Sequence, residues 1–193
     1  MPSKYQQRPL SFEKLSTVPI ADRGGKVTSA HMARAPIVVV GIALDLMRRG
    51  FVTGFVMNGA ASIHDSEIGF AGQTSEDVEA VLPDGRFGAA EESGRDMNDA
   101  IAEGAANGLG MGEALGARLD RIAPPEHAPN CILLGAWRAA VPVTVHVAVG
   151  TDTPHTHPRA DAAAIGACTH HDFRLLCTLM REMHDGCVYL NVG

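Results

Sequence analysis

The run Val141 to Val149, VPVTVHVAV, is the feature that most restricts how this chain can fold. β-branched side chains lose rotamer freedom in a helix and pack well on a pleated surface, so the run reads as a strand. It is almost continuously apolar, which is the pattern of a strand covered on both faces, as strands are in parallel sheets. Parallel neighbours need long crossovers, usually helical. The rest of the chain supplies them.

The stretch Pro36 to Arg49 reads as a helix: Pro36 suits a first turn, Arg48 and Arg49 suit the C-terminal dipole, and Gly50 is a natural stop. Phe51 to Met57, FVTGFVM, is a second short buried strand, followed by a helix over Ala60 to Ala71 with Ile63, Ile68 and Phe70 as candidate core positions. Gln73 to Gly88 is rich in turn residues and reads as a surface excursion. Two alanine-rich helices are expected over Glu91 to Asn107 and Met111 to Ile122, and a third helix over Asn130 to Ala140. Arg159 to Asp185 reads as helical with a break near Thr169, where Thr169 would cap the following turn. Gly186 then stops it, and Cys187 to Val192, CVYLNV, reads as a third strand.

The expected fold is therefore α/β, a parallel Rossmann-like, doubly wound sheet with helices on both faces. Residues 31–193 would form this domain and residues 1–30, broken by Pro2, Pro9, Pro19 and Gly24-Gly25, an N-terminal arm. A final strand with no covering helix is expected of an incomplete version of such a fold, so the sequence reads as truncated at its C-terminal end.

Charge excludes some partners. A net charge of -6 with scattered lysine and arginine offers no basic stripe for a phosphate backbone, so nucleic acid is not expected. The longest apolar stretches, such as Ala35 to Ala43, fall far short of the ~18 to 20 residues of a membrane span. Met1 to Arg23 lacks the apolar core of a signal peptide, so a cytoplasmic protein with no membrane partner is expected. The cysteines at 131, 168, 177 and 187 form no CxxC pair and read as small buried hydrophobes in a reducing compartment.

Three loops fall at the carboxyl ends of the three expected strands: Asn58-Gly59-Ala60, Gly150-Thr151-Asp152 and Asn191-Val192-Gly193. In open parallel sheets ligands sit at that edge, where helix N-termini and loops converge. Glycine also serves any tight connection, so each loop alone has a purely structural reading too. His64-Asp65 opens the helix after the first strand, where capping and ligand contact are both open. Asp152, His155, His157 and Asp161, followed by His170, His171 and Asp172, form the richest polar cluster. A DxxHxH spacing suits a divalent metal and hence a hydrolase, but Pro154 and Pro158 bracket the histidines on a loop suited equally to solvent or a polyamine. Gly110 to Gly116 imitates a dinucleotide loop but follows a helix rather than a strand, which favours an interhelical turn. His31, His127 and His146 read as structural, and no GxSxG elbow occurs.

The runs NGAASIHDSEIGFAGQTSEDV at Asn58 to Val78 and VPVTVHVAVGTDTPHTHP at Val141 to Pro158 resemble the deoxyhypusine synthase family, in particular its bacterial deoxyhypusine synthase-like members. The likeness continues through DAAAIGACTHHDF to CVYLNVG. The resemblance implies an NAD-binding α/β fold, usually a homotetramer with sites between paired subunits. It implies a reaction that dehydrogenates spermidine with NAD and passes its aminobutyl group, through an enzyme-lysine imine, to a lysine of a translation factor. Carried over, Asn58, Gly59, Ala60, Asp152, Asn191 and Gly193 would meet NAD. His155 and His157 would fall near the family's polyamine-binding positions, where the family has an acidic residue; His64 and Asp65, by their place after the first strand, are the other candidate polyamine contacts. The family's nucleophilic lysine has no match: the lysines here are Lys4, Lys14 and Lys26, all in the arm. The expectation is an aminobutyl transferase that hands its group directly to a free amine; the alternatives are a non-catalytic NAD or polyamine binder, and a metal-dependent hydrolase using Asp152, His155 and His157.

Overall fold

A computed structural model describes residues 27–28, 36–75, 77–183 and 186–192. Its elements run β1 (Val27–Thr28), α1 (Pro36–Arg48), β2 (Phe55–Asn58), α2 (Gly59–Ala71), β3 (Gln73–Thr74) and α3 (Val78–Val81). They continue with α4 (Glu91–Ala106), α5 (Met111–Ile122), α6 (Ile132–Arg138), β4 (Val143–His146) and α7 (Ala162–Glu182). Short 3-10 turns cover Ala128–Asn130 and Thr153–Thr156. The expected arm lies outside the described residues, except that β1 pairs antiparallel with β3, Val27 opposite Thr74.

The fold is α/β and mostly helical. β2 and β4 form a parallel pair, in register from Phe55 opposite Val143 to Asn58 opposite His146. The core gathers around them: Met57, Val143 and Val145 from the strands meet Leu44, Leu115, Leu134 and Ile165 from the helices, all buried. Of the expected buried positions in α2, Ile68 is in the core while Ile63 and Phe70 are half-buried at its margin.

The helix expected over Met111 to Ile122 is observed as α5, so Gly112 lies in its first turn, against the sheet, and not in the interhelical turn that the Gly110 to Gly116 spacing also suggested. A Cβ at Gly112 would fall 2.0 Å from the carbonyl oxygen of Val143, so only glycine allows this approach. The helix start thus abuts β4 directly, and the GxGxxxG spacing serves packing.

The outer edge of β4 carries side chains in place of a strand. Asp172 accepts the Val145 N–H at 2.8 Å, Thr169 donates its hydroxyl to the Val145 carbonyl at 3.1 Å, and Val147 N–H donates to Thr169 at 3.3 Å. An unpaired strand edge needs partners for each backbone group, and here α7 provides them. This accounts for two corrections. α7 is continuous over twenty-one residues, with no break at Thr169, because the Thr169 hydroxyl is turned to the strand rather than to its own helix. Its N-cap is Asp161, which accepts from Ala163 and Ala164.

The expected third strand is the second correction. Residues 187–192 form no strand, and Val188, Tyr189, Leu190 and Val192 are exposed. An apolar run becomes a strand only where an edge is open to it, and α7 closes that edge of β4. The cysteines also divide: Cys131 and Cys168 are buried as expected, whereas Cys177 and Cys187 are exposed. Among the described residues no helix is long and apolar enough to cross a membrane.

Candidate functional site

Because β2 and β4 are parallel, their carboxyl ends open on the same edge. β2 passes into α2 without a loop: Asn58 is the last strand residue and also the N-cap, its side-chain oxygen accepting the Ala61 N–H at 2.8 Å. β4 passes into a turn at Ala148 to Asp152, closed by the Ala148 N–H donating to Asp152 Oδ2 at 2.9 Å. That bond swings the Asp152 carboxylate onto Gly59, where a Cβ would fall 1.9 Å from Oδ2. Two of the expected cofactor loops therefore meet, with an anionic group seated at the positive end of α2.

The segment after β4 is pinned to α4. Asn98 donates to the Pro154 carbonyl at 2.9 Å, Arg159 binds both Asp99 oxygens at 2.8 Å, and His157 packs so tightly on Gly94 that a Cβ there would fall 2.3 Å from its ring. His157 is buried. Its Nδ1 accepts from the Arg159 N–H at 3.2 Å, and its Nε2 faces Glu91 at 3.4 Å. Both ring nitrogens are thus engaged away from Asp152. His155 stays beside Asp152 and Gly59 in a narrow cleft. Burial pushes its pKa below the ordinary 6.5, against the opposing pull of Asp152, and its Nδ1 is buried with no hydrogen-bond partner.

A groove of about 370 Å³ opens beside this pair, between α2 and the turn after β4, lined by Ala60, His64, Val78, Phe87, Thr151 and Asp152 among others. His64 is fixed within it by a chain of hydrogen bonds. Its Nδ1 lies 2.6 Å from the Thr74 hydroxyl, Thr74 donates to Glu67 Oε2 at 2.5 Å, and Ser93 donates to Glu67 Oε1 at 2.6 Å. Glu67, Thr74 and Ser93 are all buried. His64 and Glu67 share a face of α2, three residues apart, and the turn-rich segment after it returns as β3 to bring Thr74 between them.

Asp65 is not part of this groove. Its carboxylate points to the opposite side of α2 and caps α6, accepting from the Ile132 and Leu133 N–H groups at 2.9 and 2.8 Å and from the Cys131 thiol at 3.2 Å. Burial raises the Asp65 pKa, the backbone bonds hold it back, and the Cys131 thiol is itself pushed well up by burial and by Asp65. Asp161 is likewise a helix cap. Asp172 is spent on Val145 and on the Gly112 N–H at 2.9 Å, leaving its Oδ1 without a hydrogen bond. Asn191 is exposed and Gly193 lies outside the described residues, as do all three lysines and His31. Among the described residues no group of three histidine, cysteine or carboxylate side chains has metal-holding geometry.

Of the sequence-read site residues, then, Gly59, Ala60, His64, Asp152 and His155 gather at one edge, whereas Asp65 and His157 are turned into structural contacts. Glu67, Thr74 and Ser93 also belong to this edge, and no motif in the sequence marks them. The i, i+3 spacing of His64 and Glu67 was visible in the sequence, but Thr74 and Ser93 join them only through the fold. Comparison with protein-family models, with curated proteins and with solved structures finds no match.

Proposed function

We propose that the chain is a deoxyhypusine synthase-like, NAD-dependent aminobutyl transferase that acts on spermidine or a related polyamine at the carboxyl edge of β2 and β4. The observation that carries this reading is the contact of Asp152 with Gly59, which joins the two loops that the family resemblance assigns to the cofactor. A carboxylate in that position suits hydroxyl and amine donors and repels phosphate, so it fits the ribose of a dinucleotide rather than its pyrophosphate. The unpartnered Nδ1 of His155 offers a further polar contact in the same cleft. A bound nicotinamide would supply the hydride acceptor for oxidising an amine carbon. The groove at His64, Phe87 and Asp152 combines an apolar wall with acceptors, the surface that an alkyl chain bearing ammonium groups requires.

The reading brings finer expectations with it: a doubly wound sheet in which β2 and β4 are neighbours, a homotetramer, and a cytoplasmic location. The lysines are confined to residues 1–30 and none matches the family's nucleophile, which favours a second reading, a binder of NAD or polyamine without turnover. Incubation with NAD, spermidine and a primary-amine acceptor separates the two. Transfer predicts release of diaminopropane and a mass gain of one aminobutyl group on the acceptor. Binding of both ligands with neither product supports the second reading and overturns the first.

A further inference from the structure

The hydrogen-bond chain behind His64 fixes which of its ring nitrogens carries the proton. The single hydroxyl hydrogen of Thr74 is committed to Glu67 Oε2, and that of Ser93 to Glu67 Oε1. Thr74 Oγ1 therefore has only lone pairs to offer at 2.6 Å from His64 Nδ1, so Nδ1 must be the donor. A neutral imidazole holding its proton on Nδ1 leaves an open lone pair on Nε2. His64 makes no other hydrogen bond among the described residues, and it lines the groove together with Asp152. Three buried residues thus serve to hold one half-solvated ring in a fixed tautomer, an arrangement that burying apolar surface alone does not call for.

We propose that His64 Nε2 is the proton acceptor for an amine nitrogen bound in this groove, with Thr74, Glu67 and Ser93 as positioning residues. The proposal rests on the polyamine reading given above. An ammonium group enters beside the Asp152 carboxylate; one of its N–H bonds breaks, the proton passes to Nε2, and the electron pair stays on the amine nitrogen. His64 becomes doubly protonated, with Nδ1 still donating to Thr74. The amine is then neutral, as oxidation at its neighbouring carbon requires.

Heteronuclear NMR of the histidine ring nitrogens in the full chain tests this, with spermidine as the probe. The expected result is His64 as the Nδ1–H tautomer, a shift of its Nε2 resonance on addition of spermidine, and a change to mixed tautomers in Thr74→Val. His64→Ala should weaken spermidine binding about tenfold, the effect of one charge-assisted hydrogen bond. An Nε2–H tautomer in the wild type overturns the proposal. So does a spermidine response at the backbone amides of Ala60 and Asp152 with none at His64, which would leave the polyamine reading standing. A chain that answers spermidine at neither place loses both.

Discussion

Asp152 Oδ2 lies so close over Gly59 that the two residues exclude any side chain between them: a Cβ on Gly59 would fall 1.9 Å from that oxygen. The same oxygen accepts the Ala148 N–H at 2.9 Å, so the contact also shapes the turn after β4. Gly59→Ala must therefore displace Asp152 and open that turn. We expect a stability loss of about 1 to 3 kcal/mol, typical of overpacking, in urea unfolding. The same variant should bind NAD at least about tenfold more weakly by calorimetry if Asp152 is the ribose acceptor proposed above, since that carboxylate is moved.

Asp65 gives the opposite outcome. Asp65→Ala leaves the Ile132 and Leu133 N–H groups and the Cys131 thiol without their acceptor. The expected cost is about 2 to 3 kcal/mol of unfolding free energy, the range for losing a helix cap and stranding buried donors. Ligand binding by the folded fraction should not change, because the carboxylate faces away from the groove.

How much of this was legible in the sequence differs from element to element. β4 was legible because six of the nine residues in the run Val141 to Val149 are valine or threonine, and the strand-end edge followed from it. The same reasoning failed at Cys187 to Val192, since composition says that a segment is fit to pair but not whether an edge is free. That depended on Thr169 and Asp172, whose side chains could have capped α7 locally and instead bond to Val145. Asp65 and His64 are adjacent in the chain, yet the turn of the helix sends one to α6 and the other to the groove. His157 was separated from His155 in the same way, by its packing on Gly94.

Two glycines in helices should respond with opposite signs to alanine. Gly112→Ala would place a Cβ 2.0 Å from the Val143 carbonyl oxygen, a backbone atom that cannot step aside without moving β4. A loss of about 3 kcal/mol is expected. Gly166 lies in α7 with nothing within 4 Å of a Cβ, so Gly166→Ala should stabilise by about 0.5 to 1 kcal/mol through helix propensity. Thermal melting of the two variants beside the wild type reads both.

Asp172 sets a pH dependence. Burial raises its pKa above the ordinary 3.8, with the Gly112 and Val145 N–H groups and the neighbouring histidines opposing. A carboxyl whose folded pKa lies above its unfolded value holds its proton more firmly when folded, so its contribution is fully present below the unfolded pKa and is lost as pH rises through the folded one. Asp172→Asn keeps an acceptor for both amides and carries no charge. The urea midpoint of the wild type should therefore fall more between pH 4 and pH 7, about the span from an ordinary carboxyl to neutrality, than that of Asp172→Asn. Parallel slopes would mean that the folded and unfolded states bind the Asp172 proton alike over that range.

The central claim is that Asp152, Gly59 and the groove beside them hold NAD together with a polyamine. Calorimetric titration of the full chain with NAD, alone and with spermidine present, tests it most directly, with Asp152→Ala measured alongside. The account predicts that NAD binds, that spermidine tightens the binding, and that Asp152→Ala weakens it by about tenfold or more, the worth of one good hydrogen bond to a charged group. A wild-type chain that binds neither ligand, or an Asp152→Ala chain that binds NAD as tightly as the wild type, would contradict it.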